Sequence, residues 1–284
     1  MAKVYFVDKL VVRNSVQNRS HKNAMNQKKV VLIVGAGAVE NAWLPIYKSF
    51  QNVFESSIDD ADSANFQFTR LVYLLRFYSA SKFADNTKDA LESAKRKVTE
   101  LKHEIVKQLN LAQQNQELKV RSHFEALLIN FIFKDENEFA VISTNWDTVV
   151  GEAINQFAKK VEHGKTINIL HLHGSIEKPN SLYLPSEITC ENYRSVEEDN
   201  EHGVNQAILL SILKKSNQMI LYGISLDPLD AELNQTIFVS LKNENLQEIV
   251  IINPEHKKVF NRVQLLLQET NRNIKISCYN PSRY

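Results

Sequence analysis

The sequence predicts an α/β protein, a Rossmann-like parallel doubly wound sheet with a helical insertion. Three observations predict it. Lys29–Val34 is a β-branched run without alternation, as expected of a parallel strand buried on both faces. Further strands are expected near 138–142, 167–172, 218–222, 248–252 and 273–278, and segments of helix length near 147–160, 204–215, 229–242 and 255–268 separate them. Small or polar residues stand at the C-terminal ends of three of these strands, where open α/β sheets bind their ligands.

In chain order, residues 1–28 form a basic, polar arm with one short alternating segment at 4–12, and they receive no catalytic role. Residues 29–284 read as one Rossmann-like domain with a helical insertion at about 50–135. Within the insertion, 66–75 is a strongly apolar helix. Residues 86–114 carry many charges but keep Leu91, Ala94, Val98, Leu101, Ile105 and Leu109 at three- and four-residue steps, the spacing of one helix face. Residues 121–133 form a further helix. The block reads as a packing or oligomerisation element.

Bulk properties narrow the function classes. A chain of 284 residues, 43% hydrophobic, can bury a sizeable core. Its net charge of +1, from 34 basic and 33 acidic residues, argues against direct nucleic-acid binding, which usually shows a basic excess or stripe. No apolar run approaches the roughly 20 residues of a membrane helix. The N-terminus lacks the apolar core of a secretory signal. Cys190 and Cys278 are too few and too isolated for a disulfide framework or a structural zinc site. A cytoplasmic protein without membrane contact or bound metal is expected.

The chemistry is carried by the strand ends. Gly35-Ala36-Gly37 follows the first strand and lets the backbone turn sharply towards a phosphate, whose charge a following helix N-terminus can stabilise. The third glycine of a dehydrogenase fingerprint would fall at Glu40, which argues against a nicotinamide oxidoreductase. Ser143-Thr144-Asn145-Trp146-Asp147 follows the second. The Asn145 amide can donate and accept at once, and so hold a ribose hydroxyl and a water together. Asp147 suits either a ligand contact or a helix cap. His173-Gly174 follows the third, and a histidine beside a ribose can act as general base. Alternation puts His171 and His173 on one face, with His171 read as a hydrogen-bonded core residue. Two later strand ends, Gly223-Ile224-Ser225 and Ile252-Asn253, can complete the walls of a dinucleotide crevice.

These motifs, in this order, resemble the NAD-binding core of the sirtuins, over roughly residues 29–48 and 138–284. The resemblance implies NAD as substrate, with Asn145 and His173 as the catalytic pair and Asp147 on the nicotinamide or ribose side. It further implies Gly35, Ala36, Gly37, Gly223 and Ser225 around the diphosphate and Asn253 at the adenosine ribose. The chain departs from the deacylating sirtuins in two ways. It has no pair of Cys-x-x-Cys motifs for their zinc module, and Glu40-Asn41-Ala42-Trp43-Leu44-Pro45 replaces their Gly-Ile-Pro-Asp-Phe-Arg. It is more similar to the sirtuin-like effectors of bacterial antiviral defence, which hydrolyse NAD to nicotinamide and ADP-ribose in abortive infection. That likeness implies a homo-oligomer and a separate activating or sensor subunit, such as an ATPase, an Argonaute or a nucleotide-binding protein. The alternatives are an ADP-ribosyltransferase or deacylase, and a non-catalytic NAD- or ADP-ribose-binding regulatory module.

Overall fold

The β-branched runs become the strands of one parallel sheet. The computed structural model describes residues 4–6, 28–80, 87–134, 137–164 and 166–281, so most of the N-terminal arm and residue 86 lie outside the described residues. The strands are β1 (Val4–Phe6), β2 (Lys29–Val34), β3 (Val39–Glu40), β4 (Lys119–Val120), β5 (Glu138–Ser143), β6 (Ile169–His171), β7 (Gln218–Tyr222), β8 (Glu248–Ile252) and β9 (Lys275–Tyr279). Seven of them pair in the order β1-β9-β8-β7-β2-β5-β6, all parallel. From central β2 the chain runs to β5 and β6 on one side, while β7, β8 and β9 extend the other. The connections diverge at the carboxyl ends of β2 and β7, which opens a crevice there.

The helices are α1 (Leu44–Phe54), α2 (Ala61–Ser79), α3 (Thr87–Gln114), α4 (Phe124–Leu127) running on into a wider π turn at Leu128–Ile132, α5 (Val149–Lys160), α6 (Val196–Leu213), α7 (Ala231–Ser240) and α8 (His256–Leu267). Strand alternation divides the core between the two faces of the sheet. Val30, Leu32 and Val34 face one cluster, built with Phe50 of α1, Phe68 of α2, Leu101 and Ile105 of α3 and Ile154 of α5. Val31 and Ile33 face the other, built with Leu209 of α6, Ile237 of α7 and Val263 of α8. Residues 30–34 are at most 2% exposed, and each fully buried Val, Leu or Ile contributes about 1.5–3 kcal/mol. The inserted helices therefore share the sheet's own core and cover one of its faces.

The helix expected at 66–75 extends over Ala61–Ser79, and that expected at 121–133 shortens to Phe124–Leu127 and the π turn. Two further boundaries differ from expectation for local reasons. Strand β6 begins at Ile169, after Ile167, because the Asn155 side chain engages both backbone groups of Ile167, accepting from its N–H at 2.8 Å and donating to its carbonyl at 3.0 Å. Helix α6 begins at Val196, earlier than 204, because Ser195 and Glu198 form a capping box that satisfies its first backbone donors. The sequence reading lacked the antiparallel pair β3–β4, in which Val39 and Glu40 meet Val120 and Lys119.

The glycine turn also works differently from the expectation. No long helix starts at it: one 3-10 turn at Ala36–Ala38 leads into β3, and α1 starts only at Leu44. Instead, Gly35 N–H donates to the Tyr222 carbonyl and Gly37 N–H to the Gly223 carbonyl, each at 3.0 Å. The ends of β2 and β7 thus touch backbone to backbone. Gly223 sits at φ +63°, and a Cβ there would lie 2.3 Å from Ala38 N. Gly223→Ala is expected to cost about 3 kcal/mol or more, read as a fall in the urea midpoint. A variant as stable as the parent would contradict this packing.

Candidate functional site

A cavity of about 440 Å³ lies at the carboxyl ends of β2, β5 and β7, within the size range of small-molecule sites. The residues expected to contact NAD all line it: Gly35, Ala36, Gly37, Asn145, Asp147, His173, Gly223, Ser225 and Asn253. Positions spread over more than 200 residues meet because each follows the end of a parallel strand in one sheet.

The β5 end is bent into the crevice by its own polar side chains. Thr144 N–H donates to the Val34 carbonyl at 2.9 Å, tying the turn to β2. Ser143 Oγ accepts from Asn145 N–H at 3.1 Å. Asn145 is 6% exposed, yet neither its Nδ2 nor its Oδ1 has a hydrogen-bond partner among the described residues. Buried amides are almost always paired, so an orphaned one on a cavity wall is free to bond to an ordered water or a ligand. Trp146 Nε1 is unpaired as well, and its ring meets Phe68 of α2 edge-on at 5.7 Å. The inserted helices therefore buttress this strand end directly.

Asp147 serves the helix that follows, its Oδ1 accepting from Val149 N–H at 3.1 Å. It is only 4% exposed, and burial pushes its carboxyl up to about 6. Because the folded-state pKa is raised, the penalty is absent below about pH 4, where both states are protonated, and complete above about pH 6. Asp147→Asn keeps an acceptor for Val149 and removes the charge. It is expected to add roughly 2–3 kcal/mol of stability at about pH 8 and nothing at about pH 4, read by denaturant unfolding. Equal effects at both pH values would show that the carboxylate is not the cause.

His173 lies just beyond β6, its ring stacked on Tyr183 at 5.4 Å with an interplanar angle of 14°. Its Nε2 is 3.5 Å from Asp230 Oδ1, a separation that favours charge attraction over a well-formed hydrogen bond. Burial alone would lower its pKa. The Asp230 and Glu232 carboxylates, with a smaller contribution from the Thr144 backbone, outweigh it and hold the ring above its ordinary value. Glu232 is itself fixed, accepting from Tyr183 Oη and Thr189 N–H, each at 2.6 Å. His171 is hydrogen-bonded within the scaffold: its Nδ1 lies 3.2 Å from the Asn145 carbonyl, and burial lowers its pKa. It supports the backbone that presents Asn145.

Other wall residues divide between positions open to the cavity and positions tied into the scaffold. Asn253 Nδ2 donates to the Ile224 carbonyl at 2.9 Å and its Oδ1 accepts from Glu255 N–H at 2.8 Å, so this side chain holds two loops together. Ser225 is exposed on the wall, and its carbonyl accepts from Arg262 at 2.7 Å. Trp43 also lines the cavity, whereas Glu40 belongs to β3 and Asn41 donates to the Glu117 carbonyl.

Sequence reasoning missed Arg121, Tyr183 and Asp230. Arg121 brings a positive charge to the glycine turn, its Nε donating to the Gly37 carbonyl at 2.7 Å. It sits on the inserted block without any motif. Asp230 had one faint signal, an acidic pair with Asp227 just after the Gly-x-Ser strand end. The cavity thus joins an unpaired amide, a histidine flanked by a carboxylate, and an arginine-bearing glycine turn. Such a set can orient a ribose, accept a proton and hold a diphosphate. Among the described residues no helix is long and apolar enough to cross a membrane. No model of a known protein family and no curated protein matches the chain.

Proposed function

We propose that the protein is a sirtuin-like NAD hydrolase, cleaving the nicotinamide–ribose bond to give nicotinamide, ADP-ribose and a proton. The carrying observation is the buried Asn145 amide, unpaired among the described residues and lining the same cavity as His173. In this reading Asn145 holds the ribose and the attacking water. The C1′–N bond breaks as nicotinamide leaves with the bonding pair. Water forms the new C1′–O bond and gives its proton to His173. Arg121 and the Ala36 N–H answer the diphosphate charge, and Asp147 stands on the nicotinamide side.

Uncontrolled NAD hydrolysis would be toxic to the host, so the activity is gated. The contact of Phe68 with Trp146, and the presence of Asp62 and Asn65 of α2 in the cavity wall, give the inserted helices a physical route to the site. We propose that self-association or a separate activating subunit acts through them, as in an abortive-infection effector. The test follows NAD labelled in its adenosine half. Hydrolysis leaves all the label in free ADP-ribose, whereas transfer leaves it on protein, which would replace this reading with an ADP-ribosyltransferase. Bound but intact NAD under activating conditions would replace it with a regulatory binding module.

A further inference from the structure

A second cavity, of about 200 Å³, lies between α2, α3 and the segment that leads into α6. None of its lining residues belongs to the first. Lys102 of α3 lines it at 8% exposure and makes no hydrogen bond or ion pair among the described residues. Arg194 lines it with a side chain only 3% exposed, and its Nε is also without a partner among them.

The buried charges here do not balance. Glu187 is the buried carboxylate, and its oxygens are already engaged. Oε2 accepts from Leu184 N–H and pairs with Arg194 Nη2, both at 2.6 Å, while Oε1 accepts from Tyr193 Oη at 3.0 Å. Glu198 lies nearer solvent and accepts from Ser195 N–H at 3.1 Å to cap α6. Asp199 stands 3.6 Å from Arg194 Nη1. Lys102 has no counter-charge in contact among the described residues, and burial disfavours its charged form, so an anion that entered the cavity would find an unclaimed partner there.

We infer that this cavity binds a phosphate-sized oxyanion, held by Lys102 Nζ with Arg194, Thr99 and Asn180 on the wall. Its volume is below the ~300 Å³ at which pockets for drug-sized ligands begin, so the site suits a free oxyanion and not a nucleotide. Burial and Arg194 lower the Lys102 pKa while Glu187 and Glu198 oppose them, so an arriving anion would also favour its charged form. The site has a bearing on the first cavity. The Arg194 guanidinium lies 4.6 Å from the centre of the Tyr183 ring, which in turn stacks on His173. The inference does not depend on NAD being the substrate.

The test has two parts, both on the full chain. Crystals of the parent protein soaked in tungstate, a heavy phosphate analogue, are expected to show an anomalous peak within hydrogen-bond distance of Lys102 Nζ. Calorimetry with inorganic phosphate is expected to show binding that weakens by at least ~10-fold in Lys102→Met, survives in Arg121→Gln, and is not displaced by AMP. Lys102→Met replaces a buried charge with an apolar chain of similar shape, so it should fold; the soak reads the site even if it does not. No peak at Lys102, or unchanged phosphate affinity in Lys102→Met, would overturn the inference and leave a solvated cavity around a neutral lysine. Loss of binding in Arg121→Gln alone would assign the phosphate to the first cavity and overturn it equally.

Discussion

Asn145→Ala is expected to reduce nicotinamide release by at least ~100-fold, the scale of losing one fixed polar contact to a reacting group, while leaving the fold as stable as before. The combination is the informative part. A buried amide that bonds to its own protein normally loses about 1–3 kcal/mol of stability when truncated, because its partner is left unsatisfied. The Asn145 side chain has no such partner among the described residues, and its backbone is held independently through Ser143 Oγ and His171. Removing the amide therefore takes away a desolvated polar group and nothing that depends on it. The denaturant midpoint should stay level or rise as the activity disappears. A drop in stability with activity retained would make Asn145 a scaffold residue and remove the observation on which the functional reading stands.

His173→Ala is expected to lower the rate by about 10²–10⁴-fold, the range spanned by general acid–base groups. The pH dependence carries more detail. A base must be neutral to accept a proton, so the rate should rise with pH and level off. Its midpoint should lie above the ordinary histidine value of 6.5, because Asp230 and Glu232 favour the charged ring against the opposing effect of burial. The linked stability contribution has a definite sign: it is fully present below about pH 6.5 and is lost as the pH climbs through the folded-state pKa. Asp230→Asn should move both midpoints downward. Proton NMR of the His173 ring reads the same shift without needing turnover. A midpoint below 6.5, or one that ignores Asp230→Asn, would contradict the assignment of His173 and Asp230 as a working pair.

Much of this was legible in the sequence because both the strands and the cavity follow from short-range patterns. The unbroken, β-branched run Val30–Val34 suits a short strand buried on two faces, and the structure splits it between two cores accordingly. Once the strands are parallel in one sheet, their carboxyl ends share one edge, which puts Asn145, His173 and Gly223 on the same side of the sheet; the sheet order then brings them to one cavity. What was not legible depends on contacts between distant segments. The glycine turn looked like a phosphate cradle with a helix behind it, but no long helix starts there and the Gly35 and Gly37 amides bond to the β7 end, a pairing set by sheet order. Asn253 lies in the cavity wall, as expected, but that its side chain also joins two loops depends on segments that only the fold brings together. Arg121 reaches the cavity from the far end of the inserted helices, a position with no periodic or motif signal. Lys102 showed only as one more charge on an amphipathic helix until the segment before α6 packed over it.

The central claim is that this cavity cleaves NAD, and nicotinamide release measures it most directly. Purified protein, alone and with lysate from phage-infected cells, would be given NAD and compared with Asn145→Ala and His173→Ala. The account predicts nicotinamide release by the parent protein in at least one of the two conditions and none above background by either variant. Release that survives both substitutions, or NAD left intact by the parent protein in both conditions, would contradict it.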